Sequence, residues 1–192
     1  MTALGPKSES VTAEGEPDGW VPPAGFALDV GPGGATQLVV SVPPAHVAAV
    51  HRALVAVLSP PLGVLWRQVI DRRAPRPEGA APVDHVGLDL PPERVLAALE
   101  ACVDLVASDA RGELWIKGRL GDQVILDQDG LIFCQPDDPA FRDVLLGEGL
   151  PAELTQSMAD RDYVKHWYRG EADAAEDRLI GDLGLVRVAH RG

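Results

Sequence analysis

Two short stretches of the chain alternate apolar and other residues, and each runs into a helical spacing. Leu38, Val40 and Val42 recur at every second position, as do Val86, Leu88 and Leu90. That is the period of a strand with one apolar face. Pro43-Pro44 and Pro91-Pro92 then stop these strands. The second proline of each pair suits the first position of a helix, where its missing N–H costs nothing. Val47, Val50, Leu54 and Val57 follow at helical spacing, and so do Val95, Leu99, Cys102 and Val106. Pro60-Pro61 ends the first helix and residues 109–112 end the second. Further strands are predicted over 64–70 and 113–118.

Laid over one another, the two segments match at Pro43 and Pro91, Pro44 and Pro92, Val47 and Val95, and Ala53 and Ala101. One residue out of register, Trp66 matches Trp115. The pattern reads as a duplicated strand–helix–strand unit, with repeats 37–70 and 85–118. The expected fold class is α+β: a ferredoxin-like duplicated βαβ unit with both helices on one sheet face. It is extended by a β-hairpin and C-terminal α/β elements over 121–192, within one domain of residues 36–192.

The hairpin is predicted from strands at 123–127 and 131–134 around Gln128-Asp129-Gly130. Its apolar residues are consecutive, which suggests strands covered on both faces. Asp138 reads as an N-cap with Pro139 at the first helical position, opening a helix over 140–146. A short helix is expected at 151–158, a strand at 163–169, a helix over 172–183 closed by Gly184, and a last strand at 185–188. Residues 1–35, rich in proline and glycine, read as a flexible arm that Trp20 and Phe26 tack to the body.

The chain has 192 residues, enough for a core without staples. Aromatics are only 5%, so Val, Leu, Ala and Ile must fill it. Cys102 and Cys134 sit among apolar neighbours and suit reduced core thiols in a bacterial cytoplasm. No signal pattern or membrane-length apolar run occurs. The net charge is −12, with the excess acid in residues 1–35 and 121–192. This argues against nucleic-acid binding, which needs a basic face, and suits a basic protein partner.

Candidate chemistry is sparse. Gly31-Pro32-Gly33-Gly34 lacks the lysine and hydroxyl of a phosphate loop, and no nucleophile elbow or zinc-protease spacing occurs. No catalytic residue, metal or cofactor is assigned. Asp127, Asp129, Asp137 and Asp138 cluster, but turn and cap chemistry accounts for each. Arg67, Arg72, Arg73 and Arg76 surround the inter-repeat loop and read as a solvated charge run. Two binding patches remain. If the alternating residues point to the helices, His85, Asp89, Trp115 and Lys117 share the outer sheet face with Ser41 and Glu113. His166, Trp167, Tyr168 and Arg169 form the densest polar–aromatic run, of the kind enriched at interfaces. The functional expectation is a non-enzymatic binding or regulatory module engaging a protein partner, adaptor-like or immunity-like. The alternatives are a small-ligand binder or enzyme with a pocket on the outer sheet face, and a homodimerisation domain.

Overall fold

A computed structural model describes residues 5–31, 34–71, 73, 81–166 and 170–188. These form ten strands and five helices in an α+β arrangement. In chain order they are β1 (Ser8–Ser10), β2 (Gly25–Val30), β3 (Thr36–Ser41), α1 (Pro44–Val55), β4 (Leu62–Gln68), β5 (Val83–Leu90), α2 (Pro92–Ala101) and α3 (Val103–Ser108). There follow β6 (Gly112–Lys117), β7 (Gln123–Leu126), β8 (Ile132–Gln135), α4 (Pro139–Gly147), β9 (Tyr163–Lys165), α5 (Ala172–Leu183) and β10 (Val186–Val188). Both Pro-Pro pairs act as expected, since Pro44 and Pro92 each open a helix. The Asp138 side chain accepts from the Ala140 N–H at 2.8 Å and caps α4. Gly184, with φ of 64°, closes α5 in the left-handed conformation that glycine takes without penalty.

Eight strands form one antiparallel sheet in the order β10-β5-β4-β6-β7-β8-β3-β2, and β1 pairs with β9 in a separate ribbon. All four repeat strands lie in the large sheet, but not as the contiguous block of a ferredoxin-like fold. The hairpin β7–β8 stands between β6 and β3. Its doubly apolar strands find neighbours within the sheet, not a layer above it. One face of each packs on helices: Val124, Leu126, Ile132 and Cys134 are fully buried.

Three further expectations change. Residues 25–30 are a strand of the sheet, and Ser8–Ser10 pairs with Tyr163–Lys165, so the segment read as a flexible arm carries two strands. Phe26 is 1% exposed and anchors it. Residues 151–157 are not helical, and only a 3-10 turn follows at Met158–Asp160. The Phe26 N–H donates to the Pro151 carbonyl instead, and a Cβ at Gly25 would lie 2.1 Å from the Glu153 carbonyl oxygen, so only glycine allows this approach. The second repeat helix is broken at Cys102 into α2 and α3. Cysteine and valine, adjacent there, hold a helix weakly.

Helices α1 to α5 all contribute to one core cluster with the same strand face, including Val47, Leu54, Val95, Leu105, Phe141 and Leu179. A row of that face runs Leu38, Cys134, Val124, Ile116, Val64 across five strands. Each such side chain contributes about 1.5–3 kcal/mol by leaving water.

A polar cluster is built into the same layer. Trp66 is fully buried, and its indole donates to Glu176 Oε1 at 3.0 Å. Gln68 donates to the same oxygen, and Arg111 and Arg73 donate to Oε2. Arg111, 1% exposed, also donates to Asp109 and Asp173. Burial opposes its charge, but these carboxylates outweigh that and raise its pKa. The cluster ties α5 to β4 and β6.

The two tryptophans therefore differ in kind, Trp66 under the helices and Trp115 on the opposite face. Urea unfolding should show Trp66→Ala losing about 3–5 kcal/mol. Trp115→Ala, removing a half-buried side chain, should lose only about 1–2 kcal/mol. Equal losses would contradict the assignment of faces.

Candidate functional site

The facing of β5 is set by an irregularity. Leu62 pairs with Leu90, yet Val64 pairs with Gly87, so β5 carries one extra residue in this stretch. Asp89, with φ of 54°, takes up the bulge in a left-handed conformation that Asp tolerates better than branched residues do. The extra residue reverses the alternation. Leu90 points to the core, but Val86 pairs beside Leu65 on the outer face, and His85 pairs beside Trp66 on the helix face. The expectation that Val86 and Leu88 point inward and His85 outward is thus overturned by the bulge.

With that register, one row crosses every strand of the outer face: Ala27, Val39, Phe133, Ile125, Trp115, Leu65, Val86 and Val186. No described helix lies on this side. The hairpin and β10 extend the sheet within its own plane and add no layer to this face. Leu88 is 71% exposed and Val186 68%.

Polar rows flank the apolar one. On one side Gln123, Gln135, Gln37 and Asp29 are joined side chain to side chain. On the other, Arg67 donates two bonds of 3.0 Å to Asp84, which holds the guanidinium charged. Arg67 also lies 5.4 Å from the Trp115 ring centre, and the Trp115 indole donates to Glu113 at 3.1 Å. Trp115 is thereby fixed from both edges.

At the β5–β4–β6 end the face dips into a cavity of about 600 Å³. Leu65, Val86, Leu88 and Trp115 line it, with Asp89, Lys117, Arg119 and Gln123 as its polar groups. Three of the six residues expected on this face, Asp89, Trp115 and Lys117, meet here. Ser41 does not; it is buried at the far end of β3.

His85 faces a different, polar cavity of about 360 Å³ with Gln68, Asp71, Arg73, Asp177 and Arg187. Burial lowers its pKa, and Glu176 opposes that. His166 is not brought to the outer face. His166 Nε2 lies 3.2 Å from Glu9 Oε2, and its backbone N–H donates to Lys7. Trp167, Tyr168 and Arg169 lie outside the described residues, as do Arg72 and Arg76.

The acidic cluster separates into structural parts. Asp137 pairs with Arg142, and Asp138 caps α4. Asp127 accepts from the Asp129 and Leu131 N–H groups across the β7–β8 turn. Burial, then the charge of Asp129, pushes Asp127 up to about 6. The cations here are protein ammonium groups: Lys165 pairs with Asp129, and Lys7 donates to the Asp127 carbonyl at 2.8 Å. Among the described residues no group of His, Cys, Asp or Glu is arranged to hold a metal ion.

Sequence reasoning missed Leu65, Val86, Leu88 and Arg119 at the cavity. The one available signal was Gly63, opposite the strand that ends in Leu88-Asp89-Leu90. It also missed Lys7, which is 3% exposed and lowered by burial to about 8 despite the attraction of Asp127 and its neighbours. Between about pH 8 and the ordinary lysine value of 10.5, the unfolded chain binds a proton at Lys7 that the folded chain does not. Folding should therefore gain stability with pH across that window, by roughly 1–3 kcal/mol. The difference in urea stability between wild type and Lys7→Met isolates this from the two thiols, which titrate in both proteins. It should grow with pH; a flat difference contradicts a buried, depressed Lys7.

Compared with protein-family models, curated proteins and solved structures, the chain matches none.

Proposed function

We propose that the protein is a non-enzymatic binding module whose ligand site is the cavity on the open sheet face. The supporting observation is the uncovered apolar row and the hollow in which Leu65, Val86, Leu88 and Trp115 meet a few polar groups. A largely apolar concavity of roughly 300–1,000 Å³ with a few convergent polar side chains is the usual form of a small-molecule site. Its described lining contains no Ser, Cys or His, hence no hydroxyl or thiol nucleophile and no imidazole base. Binding is what this composition can do.

A second reading, recognition of a protein partner or a second copy across the whole face, draws on the continuation of the row past the cavity. Ile125, Phe133 and Val39 extend it toward β2. The ferredoxin-like duplication belongs here too. It is supported by the two Pro-opened helices and by one shared sheet, while the strand order departs from it.

Nile red, a neutral apolar dye, tests the site. Saturable binding should weaken about tenfold in Val86→Glu, because an inserted carboxylate must be desolvated. Leu28→Glu, at an apolar residue 49% exposed on the other face, should leave it unchanged. No saturable binding, or equal binding by Val86→Glu, would refute the site. Light scattering that gives a dimer mass abolished by Val86→Glu would favour the second reading.

A further inference from the structure

Two cations, Lys117 and Arg119, line one cavity. Most described arginines and lysines are matched to acids: Arg67 to Asp84, Arg111 to Asp109, Arg142 to Asp137, Arg161 to Asp18, Lys165 to Asp129. Lys117 and Arg119, like Arg94, Arg178 and Arg187, make no ion pair among the described residues, but only these two share the cavity. Both are exposed, and both line the same end of an apolar hollow.

Their placement is built. The turn after β6 is closed by the Gly118 N–H donating to the Asp122 carbonyl at 2.7 Å. It is clamped to Ser59 at four points: the Arg119 N–H donates to the Ser59 carbonyl, the Leu120 N–H to Ser59 Oγ, the Ser59 N–H to Asp122 Oδ2 and the Ser59 hydroxyl to Asp122 Oδ1. Asp122, the nearest acid in sequence, is thus engaged by Ser59 and not by Arg119. Asp89 is the one acid lining the cavity, against two cations. The rim carries a net positive charge beside an apolar floor.

We propose that the cavity binds an anionic amphiphile: an apolar chain or ring body lying on Leu65, Val86, Leu88 and Trp115, with a terminal carboxylate held by Lys117 and Arg119. This rests on the reading of the cavity as a ligand site and adds the class of ligand. Apolar burial supplies affinity, and the cations select for charge.

Titration calorimetry with dodecanoate and with dodecanol, both kept below aggregation, tests it on the full chain. Dodecanoate should bind saturably and about tenfold tighter than the alcohol, as two exposed ion pairs allow. The double change Lys117→Gln with Arg119→Gln should remove that preference and leave dodecanol binding as it was. Asp89→Asn should tighten dodecanoate about two- to threefold by removing the opposing charge. Backbone amide shifts on binding should cluster in β4, β5 and β6. Equal binding of acid and alcohol would overturn the anionic class while leaving the site. Binding of neither, with Nile red also excluded, would overturn the site and the class together.

Discussion

The described helices all lie on one side of the sheet, and the rest of the molecule follows from that. A single layer of side chains between the eight strands and α1 to α5 holds nearly all the fully buried apolar residues. Trp66, Glu176, Arg111 and Asp109 sit in that layer as a satisfied polar cluster. Removing the charge of Arg111 would leave buried carboxylates uncompensated, which is costly. The cluster pins α5, the last helix, over strands from the middle of the chain. With burial concentrated there, the opposite face carries apolar residues, Leu88 and Val186 among them, that stay largely exposed.

The bulge in β5 decides what that face presents. Without it, Leu88 and Val86 would join the core and His85 would face out. One inserted residue at Asp89 turns two aliphatic side chains toward Leu65 and Trp115 and makes the hollow. Arg67, held by Asp84 and lying over the Trp115 ring, then fixes the orientation of the largest side chain in it. A turn clamped to Ser59 brings the cations to its rim. Local backbone geometry, more than composition, produces the site.

Much of the fold was legible in the sequence. Proline pairs and helical spacing located α1 and α2, Asp138 and Gly184 marked the ends of α4 and α5, and Asp129-Gly130 marked the hairpin. These signals are local, and local chemistry fixes them. What escaped depends on distant partners. The hairpin strands read as doubly buried, but pairing between β6 and β3 was not encoded in their own residues. Ser8–Ser10 and Gly25–Val30 are strands only because β9 and β3 supply their hydrogen bonds. Of the site, Trp115 and Lys117 were placed correctly by simple alternation in β6. Alternation failed in β5, where a bulge changes parity with little trace in sequence.

The central claim is an open outer face with Val86 on it. Thiol labelling of single cysteine replacements at Val86 and at its core-facing neighbour Val64, each in the folded protein, tests it directly. Cys102 and Cys134, both buried, serve as the internal baseline. The account predicts rapid modification of Val86→Cys under conditions that leave Val64→Cys and the two native thiols unmodified. Protection of Val86→Cys to the level of Val64→Cys would contradict it.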